Sequence, residues 1–161
     1  MFAAGDRVVY PLHGGAVVKE IEVQEQDGRR VEYYILQMLF ESMTVSVPVS
    51  NAERLGLRYV GDDVTMTEIE HSLHETPDVQ AVKSISWNKR FQVYMDRIKS
   101  GDVTEVAKVF KILMILEKTK KISVGERRLL HSTKQILQSE VMLIKNIDAE
   151  KAGVWLEKCC E

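Results

Sequence analysis

The spacing of apolar residues changes near residue 60, and this change divides the chain into two kinds of structure. Before it, short runs rich in Val, Ile and Tyr are separated by turn residues, and Val45 and Val47 alternate with Thr44 and Ser46. This period of two is typical of a half-buried β-strand. After it, apolar residues recur every three or four positions, as on one face of an α-helix. The sequence therefore predicts a β domain followed by a helical domain.

The predicted domains are residues 1–60 and residues 64–161 of a 161-residue chain. Several short strands, with a hairpin turn at Asp27-Gly28, favour a small antiparallel barrel of the SH3-like or Tudor-like type. Pro77-Asp78 is expected to break the helical pattern. The predicted fold class is α+β, in which this β-barrel is followed by a separate, all-helical C-terminal domain.

Five positions carry a side chain that can cap the start of a helix, so the C-terminal domain should contain about five helices. These caps are Thr65 or Thr67, Ser84 or Ser86, Asp102, Ser123 and Asp148. At two of these sites, Asp102-x-x-Glu105 and Ser123-x-x-Glu126 have the spacing of a capping box.

The formal net charge of −2 conceals a concentrated basic block. Residues 83–134 hold 13 Lys and Arg against 5 Asp and Glu, whereas residues 61–82 hold 6 Asp and Glu and no Lys or Arg. Such a block attracts phosphates and gives salt-sensitive binding. The alternative is an ordinary solvated helix surface. Charge alone leaves both interpretations open.

Trp87 lies inside the basic block, near a predicted helix start. An aromatic ring between cations can stack on bases or wedge between them while its neighbours hold phosphates. The alternative is core packing, because Trp87, Phe91 and Tyr94 share one helix face. Trp87 stands at the N-terminal end of that face, where a side chain can protrude beyond the core.

Five cationic side chains of the basic block are candidates for phosphate contacts. Three of them lie off the apolar stripe, and two occupy the first turn of a later helix, where a cation opposes the helix dipole. An ordinary surface position is the alternative for each. The candidates are Lys89, Arg90 and Arg97 on the first helix and Arg127 and Arg128 on the second.

Nothing in the sequence calls for catalysis. The four histidines lack the spacing of a metal site, and no Gly-rich phosphate loop or nucleophile–base arrangement is visible. We therefore expect no enzymatic activity, no cofactor, no metal and no small-molecule substrate. The absence of a signal-peptide pattern and the adjacent Cys159 and Cys160 favour the cytoplasm, without a membrane partner.

The strand at residues 44–47 is the candidate for docking a protein partner. A partner can add a strand to a free sheet edge through main-chain hydrogen bonds. The alternative is an interior strand of the barrel. The residues concerned are Thr44, Val45, Ser46 and Val47.

Several ordered motifs together resemble the CarD-like transcription regulators. The resemblance covers nearly the whole chain. The motifs are Gly5-Asp6-Arg7-Val8-Val9-Tyr10-Pro11, His13-Gly14-Gly15-Ala16, Thr44-Val45-Ser46-Val47-Pro48, Asn51-Ala52-Glu53, Gly56-Leu57-Arg58, Trp87-Asn88-Lys89-Arg90-Phe91, Ser100-Gly101-Asp102 and Ser123-x-Gly125-Glu126-Arg127-Arg128.

The resemblance implies a Tudor-like domain that docks on the β subunit of bacterial RNA polymerase, and the strand at residues 44–47 is our candidate for that contact. It also implies a helical domain that binds promoter DNA at the upstream edge of the melted bubble, weakly and without sequence specificity. Trp87 would be the wedge that stabilises the open complex, with Lys89, Arg90, Arg97 and Arg127 on phosphates. The protein would then be associated with the nucleoid through polymerase.

Three positions depart from the family pattern. Arginines common in the family are replaced by Gln24 and Ser46 on the barrel, and a lysine is replaced by Gln92. These changes bear on polymerase docking and on one phosphate contact. The alternative function is an adaptor that docks on polymerase and does not bind DNA.

Overall fold

The computed structural model describes residues 1–119 and 122–161 and contains the two predicted kinds of structure in the predicted order. The strands are β1 (Arg7–Tyr10), β2 (Gly14–Gln26), β3 (Arg29–Met38), β4 (Thr44–Pro48) and β5 (Arg58–Tyr59). The helices in the described residues are α1 (Asp63–His74), α2 (Val79–Lys83), α3 (Trp87–Lys99), α4 (Val103–Lys118), α5 (Val124–Lys145) and α6 (Ala149–Cys159). Lys120 and Lys121 of the basic block lie outside the described residues.

The five strands form one antiparallel sheet in the order β4-β3-β2-β1-β5. β2 and β3 make its longest ladder, with the tight turn at Asp27 and Gly28 that the sequence predicts. Val8, Leu36 and Val47 are among the side chains of a core that belongs to this domain alone. The fold class expected from the sequence, a Tudor-like β domain followed by a helical domain, is confirmed.

Helix starts follow side-chain caps, although the predicted cap of the first helix was wrong, and Asp102 caps α4 through the N–H of Thr104 without the predicted capping box to Glu105. α1 is capped by Asp62, whose carboxylate accepts from two backbone N–H groups while Thr65 bonds back as its partner. Ser86 caps α3, and Ser123 and Glu126 form a full capping box at α5. Thr65 occupies the third helical position, where its hydroxyl accepts from the N–H of the cap residue. The predicted helix start at Thr65 was therefore three residues too late.

Residues 63–119 and 122–161 contain one short helix more than the prediction of about five. Pro77-Asp78 ends the first helical segment as expected, but Asp78 also caps the five-residue α2 through the N–H of Ala81. A residue that breaks one helix can begin the next, because Asp favours N-cap positions.

α4 lies at the centre of the helical domain. Ala107, Val109 and Leu113 have no exposed surface, and residues from the other helices pack around them in one apolar cluster. None of the helices in the described residues combines the length and apolarity that a bilayer span needs.

The two domains have separate cores but pack firmly against each other. The backbone N–H of Gly15 in β2 donates to Ser139 Oγ of α5 at 2.6 Å. A Cβ on Gly15 would lie 3.1 Å from the backbone oxygen of Ser139 and 2.8 Å from Leu143 Cδ1, so glycine favours this close approach. The domain predicted as separate is therefore joined to the sheet through α5.

Candidate nucleic-acid interface

Trp87 is the first residue of α3 and is half exposed. Its exposed fraction is 37%, as is that of Phe91, whereas Tyr94 on the same stripe is 1% exposed. The ring centroids of Trp87 and Phe91 are 5.4 Å apart in a tilted arrangement. The C-terminal half of the apolar stripe thus belongs to the core, and its N-terminal half lies at the surface. Core packing therefore describes Tyr94, and protrusion beyond the core describes Trp87.

The indole of Trp87 rests on Gly125, in the first turn of α5. A Cβ at Gly125 would come within 2.9 Å of Trp87 Cζ2, closer than side chains are found. Glycine at this position leaves room for the ring, and the N-termini of α3 and α5 meet there. The sequence motif contained Gly125, but nothing in the spacing of residues indicated this contact.

Glu126 holds the junction between α3 and α5 together. Its carboxylate is 1% exposed and accepts from Arg90 Nη2 at 3.2 Å and from the Tyr94 hydroxyl at 3.3 Å. The same side chain accepts from the backbone N–H of Ser123 at 3.4 Å, which completes the capping box. Burial raises the pKa of Tyr94 to about 12, and the negative charge of Glu126 adds to the rise.

Arg90 serves this internal network in the free protein. Nη1 donates to the carbonyl of Ile85 at 3.2 Å and Nη2 to Glu126. Its guanidinium carbon lies 5.8 Å from the centroid of the Trp87 ring, within cation–π range. These contacts hold the Arg90 guanidinium against one face of the indole. A phosphate contact for Arg90 stays a prediction.

Lys89, Arg127 and Arg128 are exposed cations near the Trp87–Gly125 contact. No ion pair to any of the three is present in residues 1–119 and 122–161. Arg127 and Arg128 border a shallow groove along the first turns of α5, together with His131. Phosphate contacts for Lys89 and Arg127 stay predictions, and the structure shows only that both side chains are exposed.

Arg97 lies apart from the other candidates. It is in the last turn of α3, ten residues beyond Trp87, and its Nε is 3.6 Å from Glu105. At 1.5 Å per residue, about 15 Å of helix separate it from the indole. The structure does not bring Arg97 into the cluster around Trp87, because α3 continues past the junction with α5.

β4 forms one edge of the sheet in the described part of the chain, so the alternative of an interior strand is wrong. Thr44 and Ser46 are exposed, Val45 is half-buried, and Val47 is 1% exposed in the core. Val45 and Val47 thus face inward, and a partner could reach Val47 only through its backbone.

The backbone of β4 has a free side. Met38 N–H donates to the carbonyl of Met43 at 2.9 Å. Bonded pairs alternate along an antiparallel ladder, so Val45 and Val47 bond to β3 while the N–H groups of Thr44 and Ser46 point outward. The edge that the sequence suggested for a partner strand is available.

The described residues contain no group of three or more His, Cys, Asp or Glu placed to hold a metal ion. The β domain thus has an edge strand and the helical domain has an exposed aromatic ring among cations, and these are two separate candidate surfaces.

Comparison with known proteins identifies the family. Residues 2–61 match the family model described as the CarD-like/TRCF RID domain, and residues 70–157 match the CarD C-terminal domain. The chain belongs to the CarD-like family. It is 31% identical over 147 residues to the "Putative transcription factor YdeB" of Bacillus subtilis (strain 168), covering 91% of this chain and 94% of that protein. These relationships support a role in transcription.

Proposed function

We propose that this protein regulates transcription initiation by binding the RNA polymerase β subunit and promoter DNA together. β4 docks on polymerase, and the junction of α3 and α5 meets DNA at the upstream edge of the bubble. There Trp87 acts as a wedge that stabilises the open complex. The single observation that carries this proposal is the half-exposed indole of Trp87, seated on Gly125 and bordered by cations.

The proposed mechanism depends on a difference between two states of the promoter. A ring wedged into DNA gains contacts only where the bases are already unstacked or the groove is deformed. Trp87 would therefore bind melted DNA better than closed duplex, and it would shift the equilibrium by that difference in affinity. The contact with Gly125 and the Arg90 guanidinium keep the ring oriented before DNA arrives.

Lys89 and Arg127 are the proposed phosphate anchors, with Arg128 beside them. Arg90 orients the indole, and Arg97 lies too far along α3 to share the same contact. Phosphates carry no sequence code, so binding to DNA should be weak and unspecific, and docking on polymerase should supply the location. Gln92 stands where the family often has a lysine, so this position offers no cation to a phosphate. Its Nε2 donates to Asp96 Oδ1 at 2.9 Å.

Polymerase docking is proposed for the outward backbone of β4, by addition of a strand from the β subunit. Ser46 on this edge and Gln24 on β2 are uncharged where the family often has arginine. Affinity should therefore depend mainly on the backbone and on shape. The protein would act in the cytoplasm, at the nucleoid, without catalysing a reaction.

The test is the lifetime of open complexes with Trp87→Ala. Stacking of one base on an aromatic side chain contributes about 1–3 kcal/mol. We therefore expect a lifetime shorter by roughly 5- to 150-fold relative to the unsubstituted protein. Val154→Ala, which removes another exposed apolar side chain far from the junction, should leave the lifetime unchanged.

A thermal melt of Trp87→Ala separates the proposed role from a structural one. The variant should remain folded with a lower melting temperature, because the ring is 37% exposed and its buried part packs on Phe91 and Gly125. An unchanged open-complex lifetime in a folded Trp87→Ala variant would sink the proposal.

The adaptor alternative makes a different prediction for DNA binding. If the helical domain contacts only protein, the full chain should have no affinity for duplex or bubble DNA even at low salt. Under the proposal, affinity falls as salt rises, because cations displace counterions from phosphates. Lys89→Gln and Arg127→Gln should each reduce the salt slope by about one.

A further inference from the structure

A cavity of about 360 Å³ lies within the helical domain, between the loop that joins α1 to α2 and the helices α3 and α4. Arg97 borders it, so it lies at the end of α3 away from Trp87. The volume is in the range of small-molecule sites, roughly 300–1,000 Å³. The cavity is thus distinct from both surfaces used in the proposed function.

One wall of the cavity is cationic. It contains Arg97 of α3 with Lys108 and Lys111 of α4. A single carboxylate, Glu105, serves two of these groups at long distances, 3.6 Å to Arg97 and 3.4 Å to Lys108. Lys111 donates to the neutral carbonyl of Cys160 at 2.9 Å. This wall therefore has more positive than negative charge and can accept an anionic group.

The facing wall is acidic and comes from the loop between α1 and α2. It contains Glu75 and Asp78. Asp78 uses Oδ1 to cap α2 through Ala81 N–H at 3.0 Å, and Glu75 Oε1 lies 3.4 Å from His71 Nδ1. Each carboxylate keeps its second oxygen for a ligand. The cavity therefore has opposite charges on its two sides.

Two further features favour an occupant with both polar and apolar parts. Val82 and Ile112 contribute an apolar lining between the charged walls. Ser72 also borders the cavity, and its hydroxyl can donate to or accept from a polar group of a ligand.

We propose that the cavity binds a small zwitterion with an apolar body, of the amino-acid type. Its carboxylate lies against Arg97 and Lys108, its ammonium group against Glu75 and Asp78, and its apolar part on the side chains between them. A ligand with only one of the two charges leaves the opposite wall without a partner. The proposal does not depend on DNA or polymerase binding.

The test compares three probes that share a phenyl group and differ in charge. L-Phenylalanine carries both charges, 3-phenylpropanoate only the negative one and phenethylamine only the positive one. Each is titrated into the isotope-labelled full chain at constant ionic strength and pH 7, with detection of amide NMR signals. We expect saturable shifts at Ser72, Val82 and Ile112 with L-phenylalanine and several-fold weaker binding of both single-charge probes.

Arg97→Gln and Lys99→Gln form a matched pair of variants. Both remove one positive charge from α3, but Lys99 is exposed and does not border the cavity. Arg97→Gln should weaken L-phenylalanine binding about ten-fold, because a hydrogen bond to a charged group contributes roughly 1.5–3 kcal/mol. Lys99→Gln should leave it unchanged.

Three results would overturn the proposal. One is the absence of saturable shifts with L-phenylalanine. Another is equal affinity for the three probes, and the third is equal weakening by Arg97→Gln and Lys99→Gln. Because none of these readouts involves a promoter, they distinguish failure of this proposal from failure of the proposed wedge.

Discussion

At the scale of single residues, the exposure of Trp87 depends on Gly125. An alanine there would place its Cβ 2.9 Å from Cζ2 and 3.1 Å from Cη2 of the indole, so the ring must move. Gly125→Ala should therefore weaken binding to bubble DNA and shift Trp87 emission. The chain has two tryptophans, so the emission is measured in a Trp155→Phe background.

The same substitution should not destabilise α5 itself. Alanine is favoured over glycine in helices by up to about 1 kcal/mol, which opposes any cost of moving the ring. DNA affinity and stability should thus respond separately. Unchanged emission together with unchanged DNA affinity would show that Gly125 does not position the indole.

Tyr94 makes stability depend on alkaline pH. Burial raises its pKa to about 12, above the ordinary value of 10.0. The folded state therefore keeps a proton that the unfolded state releases, and the free energy of unfolding falls as pH rises from about 10 to 12. Below pH 10 this contribution is fully present.

Replacing Tyr94 with phenylalanine isolates this effect. Tyr94→Phe should remove part of the alkaline loss of stability, while at neutral pH it costs roughly 1 kcal/mol for the lost hydrogen bond to Glu126. Denaturant unfolding across this pH range measures both changes. Identical alkaline slopes for the variant and the parent protein would contradict the assignment.

The sequence identified the aromatic ring of the site but not what holds it. Trp87 and its neighbouring cations stand out because composition and helical spacing are local properties. Glu126 was visible only as half of a capping box. Its buried contacts with Arg90 and Tyr94 join segments more than 30 residues apart, and helical periodicity carries no information on such packing.

At the scale of secondary-structure elements, β4 offers a test that separates docking from folding. The N–H of Ser46 points away from β3, so proline at this position removes a donor that the sheet does not use. Ser46→Pro should leave the β domain folded and weaken binding of the β subunit by roughly five-fold or more, since one hydrogen bond contributes about 1 kcal/mol.

Two companion variants show whether the backbone is responsible. Ser46→Ala changes the same side chain but retains the N–H, and it should bind the β subunit like the parent protein. Val45→Pro removes an N–H that bonds to β3, and it should lower the free energy of unfolding. Equal binding by Ser46→Pro and Ser46→Ala would exclude strand addition at β4.

Elements were predicted well where a local signal was strong. β1, the turn at Asp27 and the caps at Ser123 and Asp148 all have residue types that strongly restrict the backbone. α2 was missed because five residues provide little more than one helical turn for a periodic pattern. The order of the strands depends on pairing between distant segments, and local residue patterns do not show which strands pair.

At the scale of the whole molecule, Arg58 and Glu140 fix the orientation of the two domains. Arg58 belongs to β5 and Glu140 to α5, and the guanidinium donates two hydrogen bonds of 2.8 and 2.9 Å to the carboxylate. Glu140 has no exposed surface and also accepts from the N–H of Gly61 at 3.0 Å, while Arg58 Nε donates to Gly101 at 2.9 Å. One ion pair thus links the sheet, the connection to α1 and the helical domain.

Under the proposed function, a fixed orientation matters because polymerase docking must bring Trp87 to the DNA. A tether raises the effective concentration of the second site only when its geometry fits both sites. If the domains could rotate freely, β4 and Trp87 would keep their separate affinities, but their combined effect would fall. Weakening the ion pair should therefore affect open complexes more than either binding step.

Glu140→Gln tests this coupling. Removing one partner of a buried ion pair lowers the free energy of unfolding by about 3–5 kcal/mol. Because Arg58 is partly exposed, we expect Glu140→Gln to cost about 3 kcal/mol or less. Lys145→Gln breaks the exposed ion pair between α5 and Asp63 of α1 and should cost at most about 1 kcal/mol. At temperatures where Glu140→Gln is folded, binding of the β subunit and of bubble DNA should each remain near the parent level while open-complex lifetime shortens. If the lifetime is unchanged, the two surfaces act independently and the rigid joint contributes only to folding.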